Sequence, residues 1–116
     1  MGRSSRPQLL HFWSLTCSSC LKELPLLGEL KREHPEIELI AIPVATDPPA
    51  QVARFVGRHR FPFPVAFDLR GEAMRRFRVE SVPLWILLDC RGKPLWRHLG
   101  TLTEEVLREE LRSLSC

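Results

Sequence analysis

The order of apolar and amphipathic segments predicts an α/β sandwich with a mixed β-sheet. Short apolar segments rich in β-branched and aromatic residues alternate with segments of helical spacing. Near the carboxyl end, two apolar segments are joined by a turn that contains glycine, which predicts an antiparallel hairpin. The 116 residues, 44% of them hydrophobic, are enough for one core. We therefore expect one domain over residues 1–116, with 1–7 as a flexible N-terminus.

The first half predicts two parallel strands joined by a helix. The segment "QLLHFW" (8–13) is apolar almost throughout, as in a strand buried on both faces. Leucines at helical spacing after it predict a helix from Ser18 to about Glu33, kinked at Pro25. The β-branched segment 37–45 predicts the second strand, which should lie parallel to the first.

The second half predicts two further helices, a short strand and the hairpin. A helix that begins with proline is expected over 49–59, a short strand over 65–67 and a short helix over 72–77. Segments 84–89 and 94–99 form the predicted hairpin around Gly92. Thr103 is a suitable N-cap for an amphipathic helix that runs to the C-terminus.

The charge and hydropathy patterns argue against several classes of partner. The formal net charge is +3, and the basic residues are spread along the chain, so no nucleic-acid partner is expected. No apolar run approaches the roughly 20 residues of a transmembrane helix. The start "MGRSSRP" is not followed by the apolar region of a signal peptide. We therefore expect a cytoplasmic protein, or an extracytoplasmic one from which a signal or anchor has been removed.

The stretch "HFWSLTCSSC" places Cys17 and Cys20 at a junction between a strand and a helix. Free N–H groups and the helix dipole at such a junction favour a thiolate, and can lower a cysteine pKa from about 8.5 to roughly 3.5–7.5. Cys20 lies one helical turn further on, within bridging distance. This spacing lets Cys17 attack a disulfide and Cys20 resolve the mixed disulfide.

Other interpretations of the pair remain open at this point. A metal site needs about four ligands, and the remaining cysteines and histidines show no second closely spaced pair. An inert pair is the second alternative. A thiol peroxidase is less favoured, because no proline precedes Thr16. Cys90 and Cys116 are expected to be free surface thiols.

Two stretches carry a resemblance to a known family. "HFWSLTCSSCLKELP" resembles the F-W-x-x-x-C-x-x-C-x-x-E-x-P signature of thioredoxin-like proteins of the TlpA/ResA type, and residues 63–100 resemble a second segment of that family. The resemblance implies a thioredoxin fold, a three-layer α/β/α sandwich with a central mixed sheet. Residues 49–67 match the insertion that distinguishes this family from plain thioredoxin.

The resemblance also implies a function. The chain would be a thiol-disulfide oxidoreductase, with Cys17 as nucleophile and Cys20 as resolving thiol, that reduces or exchanges disulfides in partner proteins. It would act as a monomer with an upstream thiol electron donor, and would need no cofactor or metal beyond this redox-active pair. The alternative is a thioredoxin-like binding module or thiol-based metallochaperone without redox turnover.

Further site residues follow from the same resemblance. Val82–Pro83 occupies the position of the family's cis-proline loop, where the backbone of Val82 could bind a substrate strand by β-augmentation; alternatively, Pro83 merely starts a strand in trans. Glu23 matches a glutamate that tunes the thiols, unless it is an exposed helix acid. Trp13 matches the tryptophan beside the active-site turn, and we include it among the substrate-binding residues.

The residues around the cysteines depart from the family pattern. His11 stands where thioredoxins have a buried aspartate, and could exchange the proton of the Cys20 thiol. The alternative is a hydrogen-bonded core histidine. Thr16 replaces a bulky tryptophan, and Ser18 and Ser19 separate the cysteines without proline or histidine. We expect these three residues to contact the substrate and to influence the reduction potential.

Overall fold

The fold is a four-stranded mixed sheet between helices, as seen in a computed structural model that describes residues 5–112 and 114. The elements in chain order are β1 (Gln8–Trp13), α1 (Ser18–Glu33), β2 (Glu38–Pro43), α2 (Pro49–His59), α3 (Glu72–Arg76), β3 (Leu84–Leu88), β4 (Pro94–Leu99) and α4 (Glu104–Arg112). The sheet order is β2-β1-β3-β4. Strands β1 and β2 are parallel, whereas β3 is antiparallel to both β1 and β4. The predicted fold class is confirmed.

Strand β1 lies in the interior of the sheet and is buried along its whole length. Side chains alternate between the faces of a strand. Leu9 and Trp13 pack in a core with α1, α2 and α4, while Leu10 and Phe12 pack in a second core with α3. The helices therefore cover both faces of the sheet, and His11 shares the face on which α1 lies.

The predicted N-cap of α4 is confirmed, and the end of α1 carries favourable charges. Helix α1 continues through Pro25, and its last turn carries Lys31 and Arg32, which favour the negative end of the helix dipole. Helix α4 begins after Thr103, whose hydroxyl accepts a hydrogen bond from the N–H of Val106 at 3.3 Å. The predicted continuation of α4 to the C-terminus falls partly on residues 113, 115 and 116, which lie outside the described part.

Some boundaries differ from the predictions. The predicted strand at 65–67 is a single bridge between Val65 and Ala41, because the flanking Pro62 and Pro64 have no N–H to extend a ladder. Strand β2 ends at Pro43, and a turn closed by the Asp47 N–H and the Val44 carbonyl follows. The helix predicted over 72–77 and the strand over 84–89 each end one residue earlier.

The two ends of the chain are described only in part. Of the predicted flexible N-terminus, residues 1–4 lie outside the described range. Pro7 is buried, and its carbonyl accepts a hydrogen bond from the Glu38 N–H at 2.8 Å. Within the described residues, no helix combines the length and apolar character needed to cross a membrane.

The prediction of a free thiol at Cys90 is wrong. Cys90, in the turn between β3 and β4, is disulfide-bonded. Sequence spacing does not reveal cysteine pairings that depend on the folded chain. The corresponding prediction for Cys116 lies outside the described residues.

Candidate active site

The cysteine pair lies where the chain leaves β1 and enters α1. Cys17 is the N-cap of α1 and has an extended backbone, while its sulfur accepts a hydrogen bond from the Cys20 N–H at 3.2 Å. The two residues are joined by a disulfide, with their Cα atoms 5.2 Å apart. Cys17 is half-buried, whereas Cys20 is completely buried. A partner protein can therefore reach the sulfur of Cys17 but not that of Cys20.

Polar groups surround the sulfur of Cys17. Besides the Cys20 N–H, the hydroxyl oxygen of Ser19 lies 3.4 Å away and the carbonyl oxygen of Val82 lies 3.9 Å away. The positive end of the α1 dipole points toward the same sulfur, and the first turn of α1 contains no acidic residue. Once the disulfide is opened, these N–H and O–H donors stabilise a thiolate on Cys17.

The loop before β3 reaches Cys17 because β3 pairs antiparallel with β1. Leu84 lies opposite Phe12, so the residues before Leu84 lie beside the end of β1. The Val82–Pro83 peptide bond is cis, the isomer that the resemblance implies. The carbonyl of Pro83 accepts a hydrogen bond from the Gly100 N–H at 2.8 Å. The loop is thereby attached to the end of β4 and leaves half-buried Val82 beside the disulfide.

Asp47 fixes the turn that precedes Cys17. One of its carboxylate oxygens accepts a hydrogen bond from the Ser14 hydroxyl at 2.9 Å, and the other accepts from the Leu15 N–H at 2.8 Å. The hydroxyl oxygens of Ser14 and Thr16 are 3.0 Å apart. Sequence reasoning missed Asp47 and Ser14. The only signal is the segment "TDPP", whose prolines predict the end of a strand. It does not reveal that the side chain of its aspartate accepts hydrogen bonds from the connection between β1 and α1.

A buried imidazole and carboxyl group lie on the same face of the sheet as Cys20. His11 Nε2 is 3.7 Å from Glu23 Oε1, and His11 is fully buried. Its ring packs against Trp85, with the centroids 4.2 Å apart. Burial lowers the pKa of His11 below its usual value of 6.5, and the neighbouring Glu23 offsets only part of this effect. The ring is therefore neutral near pH 7.

Glu23 is one helical turn after Cys20 and is only 5% exposed, so the alternative of an exposed helix acid is wrong. Its second oxygen, Oε2, accepts a hydrogen bond from the Leu102 N–H at 2.8 Å. Neither ring nitrogen of His11 has a hydrogen-bond partner within 3.5 Å among the described residues. Glu23 thus connects α1 to the segment between β4 and α4 and faces His11 with its other oxygen.

The other predicted site residues differ in their exposure. Thr16 and Ser18 are exposed and Ser19 is half-buried, so all three can contact a partner next to Cys17. Pro83 is buried, whereas Val82 is half-buried. Trp13 is fully buried and packs against Phe55 at a centroid distance of 5.9 Å. We correct its assignment as a substrate-binding residue, because a side chain without exposed surface supports the site from below.

A groove of about 250 Å³ opens beside Cys17. The residues of its wall come from helix α3 and three connections of the chain, β1–α1, β2–α2 and α3–β3, and the sequence indicated only that Val82 would lie near Cys17. They are Ser14, Thr16, Cys17, Val44, Thr46, Met74, Val79, Glu80, Ser81 and Val82. No group of three or more His, Cys, Asp or Glu side chains that could hold a metal ion occurs within residues 5–112 and 114.

Comparison with known proteins places this site in a family. The sequence model of the AhpC/TSA family matches residues 3–99. The chain belongs to the AhpC/TSA family. Among curated members of similar sequence, the "Thiol-disulfide oxidoreductase ResA" of Bacillus thuringiensis subsp. konkukian (strain 97-27) is 34% identical over 108 residues, which are 91% of this chain and 62% of that protein.

Other relatives are thiol-disulfide oxidoreductases by name. The "Sporulation thiol-disulfide oxidoreductase A" of Bacillus subtilis (strain 168) is 30% identical over 105 residues, 87% of this chain and 64% of that protein. The crystal structure of StoA from Bacillus subtilis superposes with a TM-score of 0.82 and 27% identity, over 92% of this chain and 83% of that one. This AhpC/TSA chain spans somewhat less than two thirds of the length of these two curated relatives. The predicted resemblance to ResA-like thioredoxin-fold proteins is confirmed.

Proposed function

We propose that this chain catalyses thiol–disulfide exchange with proteins through Cys17 and Cys20. The observation that carries the proposal is the asymmetric disulfide at the start of α1, in which half-buried Cys17 lies among polar donors and Cys20 is buried. Membership of the AhpC/TSA family and similarity to proteins named thiol-disulfide oxidoreductases support it.

The exchange proceeds in two balanced steps. In the reducing direction, the Cys17 thiolate attacks one sulfur of a partner disulfide, and the other partner sulfur leaves as a thiolate and takes up a proton. The Cys20 thiolate then attacks the sulfur of Cys17, which forms the observed disulfide and releases the second partner sulfur. Two electrons pass from the dithiol to the partner, and an upstream thiol donor returns them. The oxidising direction is the reverse.

We assign the buried pair His11 and Glu23 to proton transfer at Cys20. The resolving step requires the Cys20 thiol to lose its proton in an apolar environment, where a thiolate is disfavoured. A neutral imidazole can accept that proton, and its lowered pKa keeps His11 in this form near pH 7. The carboxyl group of Glu23, 3.7 Å from Nε2, would stabilise the resulting imidazolium.

A substrate chain would bind across the opening of the site. One monomer would bind it, and no cofactor would be needed. The backbone of Val82 would pair with an extended substrate segment by β-augmentation. The exposed side chains of Thr16 and Ser18 and the half-buried side chain of Ser19 would border the same segment on the α1 side. The partner sulfur then approaches Cys17 between these two walls.

The test is a single-turnover reaction of the reduced protein with a short peptide that contains a disulfide. Wild type should open the peptide disulfide, Cys17→Ser should lose the reaction, and Cys20→Ser should stop at a mixed disulfide that mass spectrometry detects. Equal activity of wild type and Cys17→Ser would refute the proposal.

A second arm addresses the metallochaperone alternative. Reduced wild type is incubated with zinc or copper, dialysed and analysed for metal. If wild type retains stoichiometric metal, Cys17→Ser loses it, and wild type does not open the peptide disulfide, the function is metal binding and not thiol–disulfide exchange.

A further inference from the structure

We propose that the groove beside Cys17 is a subsite for a lysine or arginine that lies close in sequence to the reacting cysteine of the substrate, with Glu80 as its charge partner. This inference rests on the proposed function and adds a substrate class to it. It follows from the position of the groove, the chemistry of its wall and the charge at its rim.

The groove is continuous with the reactive centre. Cys17 and Val82 both line it, and the sulfur of Cys17 is 3.9 Å from the carbonyl oxygen of Val82. A substrate segment that pairs with the Val82 backbone must therefore pass along the groove. A side chain within a few residues of the substrate cysteine reaches its wall, because each extended residue advances about 3.3 Å.

The wall combines an apolar part with a hydroxyl-bearing rim. Val44, Met74 and Val79 supply the apolar part, and Met74 is held by a contact of 3.3 Å between its sulfur and the Ala45 nitrogen. Thr46 and Ser81 contribute hydroxyls. An unbranched methylene stem fits the apolar part, and methionine adapts to the shape of such a stem.

Glu80 gives the groove its charge. Apart from Cys17, it is the only ionisable side chain among the described residues that line the groove. Glu80 is exposed, and its carboxylate is not paired with any cation among residues 5–112 and 114. Lysine and arginine are the side chains that join a long apolar stem to a cationic end, so they match both parts of the wall.

The charge of the groove is opposite to that of the whole chain, whose net charge is +3. Long-range attraction by the whole protein would favour acidic partners, whereas the groove favours a basic side chain at short range. A preference for basic flanking residues would therefore arise at the groove and would depend on Glu80.

The experiment compares disulfide-linked peptides that are identical except for one position within three residues of the cysteine, occupied by Lys, Gln or Glu. Reduced wild type should react about two- to fivefold faster with the Lys peptide than with the Gln peptide. A ratio of this size corresponds to the free energy of one exposed ion pair. Glu80→Gln should abolish this ratio, and Glu80→Lys should reverse the order of the Lys and Glu peptides. Salt at about 1 M, where the Debye length is about 3 Å, should reduce the ratio.

Glu29→Gln is the matched control, because Glu29 is an exposed acid on α1, about 16 Å along the helix from Ser18. This variant should keep the wild-type ratio. Equal rates for all three peptides, or a ratio that survives in Glu80→Gln, would overturn the subsite while leaving exchange intact. Failure of wild type to open even the Gln peptide would instead refute the proposed function and the subsite with it.

Discussion

Replacing Glu23 by alanine should destabilise the protein by about 2–3 kcal/mol. The change leaves the buried Leu102 N–H without its acceptor, which now lies at 2.8 Å, and an unsatisfied buried donor costs about 1–3 kcal/mol. It also removes a buried methylene group, worth about 0.8 kcal/mol. Relief of the cost of burying a carboxyl group offsets part of the sum. For a domain of this size the loss corresponds to a fall of about 10 °C in Tm.

Glu23→Gln separates the hydrogen bond from the charge. Its amide oxygen can still accept from Leu102, so we expect a loss of less than about 1 kcal/mol. Urea unfolding of the oxidised protein, monitored by tryptophan fluorescence, gives both free energies, with Glu29→Ala as an exposed control on the same helix. Equal losses for the alanine and glutamine variants would show that the hydrogen bond to Leu102 contributes nothing. A loss below about 0.5 kcal/mol for the alanine variant would refute the structural role of Glu23.

Three further predictions concern the surroundings of the disulfide. Asp47→Ala should cost about 1–3 kcal/mol in urea unfolding, because Leu15 N–H and the Ser14 hydroxyl lose their acceptor, and Asp47→Asn should recover part of it. Because burial lowers the pKa of His11, the unfolded chain binds more protons than the folded chain below pH 6.5. The free energy of unfolding should therefore fall with decreasing pH more steeply in wild type than in His11→Asn, by up to about 1.4 kcal/mol per pH unit. A shallower slope in wild type would mean that His11 is charged in the folded state. Ser19→Ala should raise the pH midpoint of Cys17 alkylation by about half a unit, whereas an equal change in Ser18→Ala would contradict a specific contact with the sulfur.

The elements that sequence reasoning predicted correctly are those with a strong internal pattern. Strand β1 is apolar throughout, and α1 has leucines at helical spacing, so burial of each could be inferred from its own residues. The predicted strand at 65–67 failed for the opposite reason. Its composition resembles a strand, but the prolines beside it allow only one bridge to Ala41.

The candidate site was predicted as far as its residues share one motif. Cys17, Cys20 and Glu23 lie within seven residues of sequence, so their spacing on one helix could be inferred from the sequence alone. Asp47 follows β2 and Glu80 lies between α3 and β3, and only the folded sheet brings them to the start of α1. The disulfide bonding of Cys90 depends on the folded chain in the same way.

The different surroundings of the two sulfurs separate the capture of a partner from its release. Cys17 lies among N–H and O–H groups, so its thiolate forms first and attack begins there. Cys20 is fully buried among apolar side chains, which disfavour ionisation of its thiol. The resolving step therefore needs a group that accepts the proton of Cys20. If His11 accepts that proton, release should depend on pH through His11, whereas capture should depend on Cys17 alone. His11→Asn should therefore slow the decay of the mixed disulfide and leave its formation unchanged, and stopped-flow measurement of both phases distinguishes this role from that of a core residue, which would affect neither phase selectively.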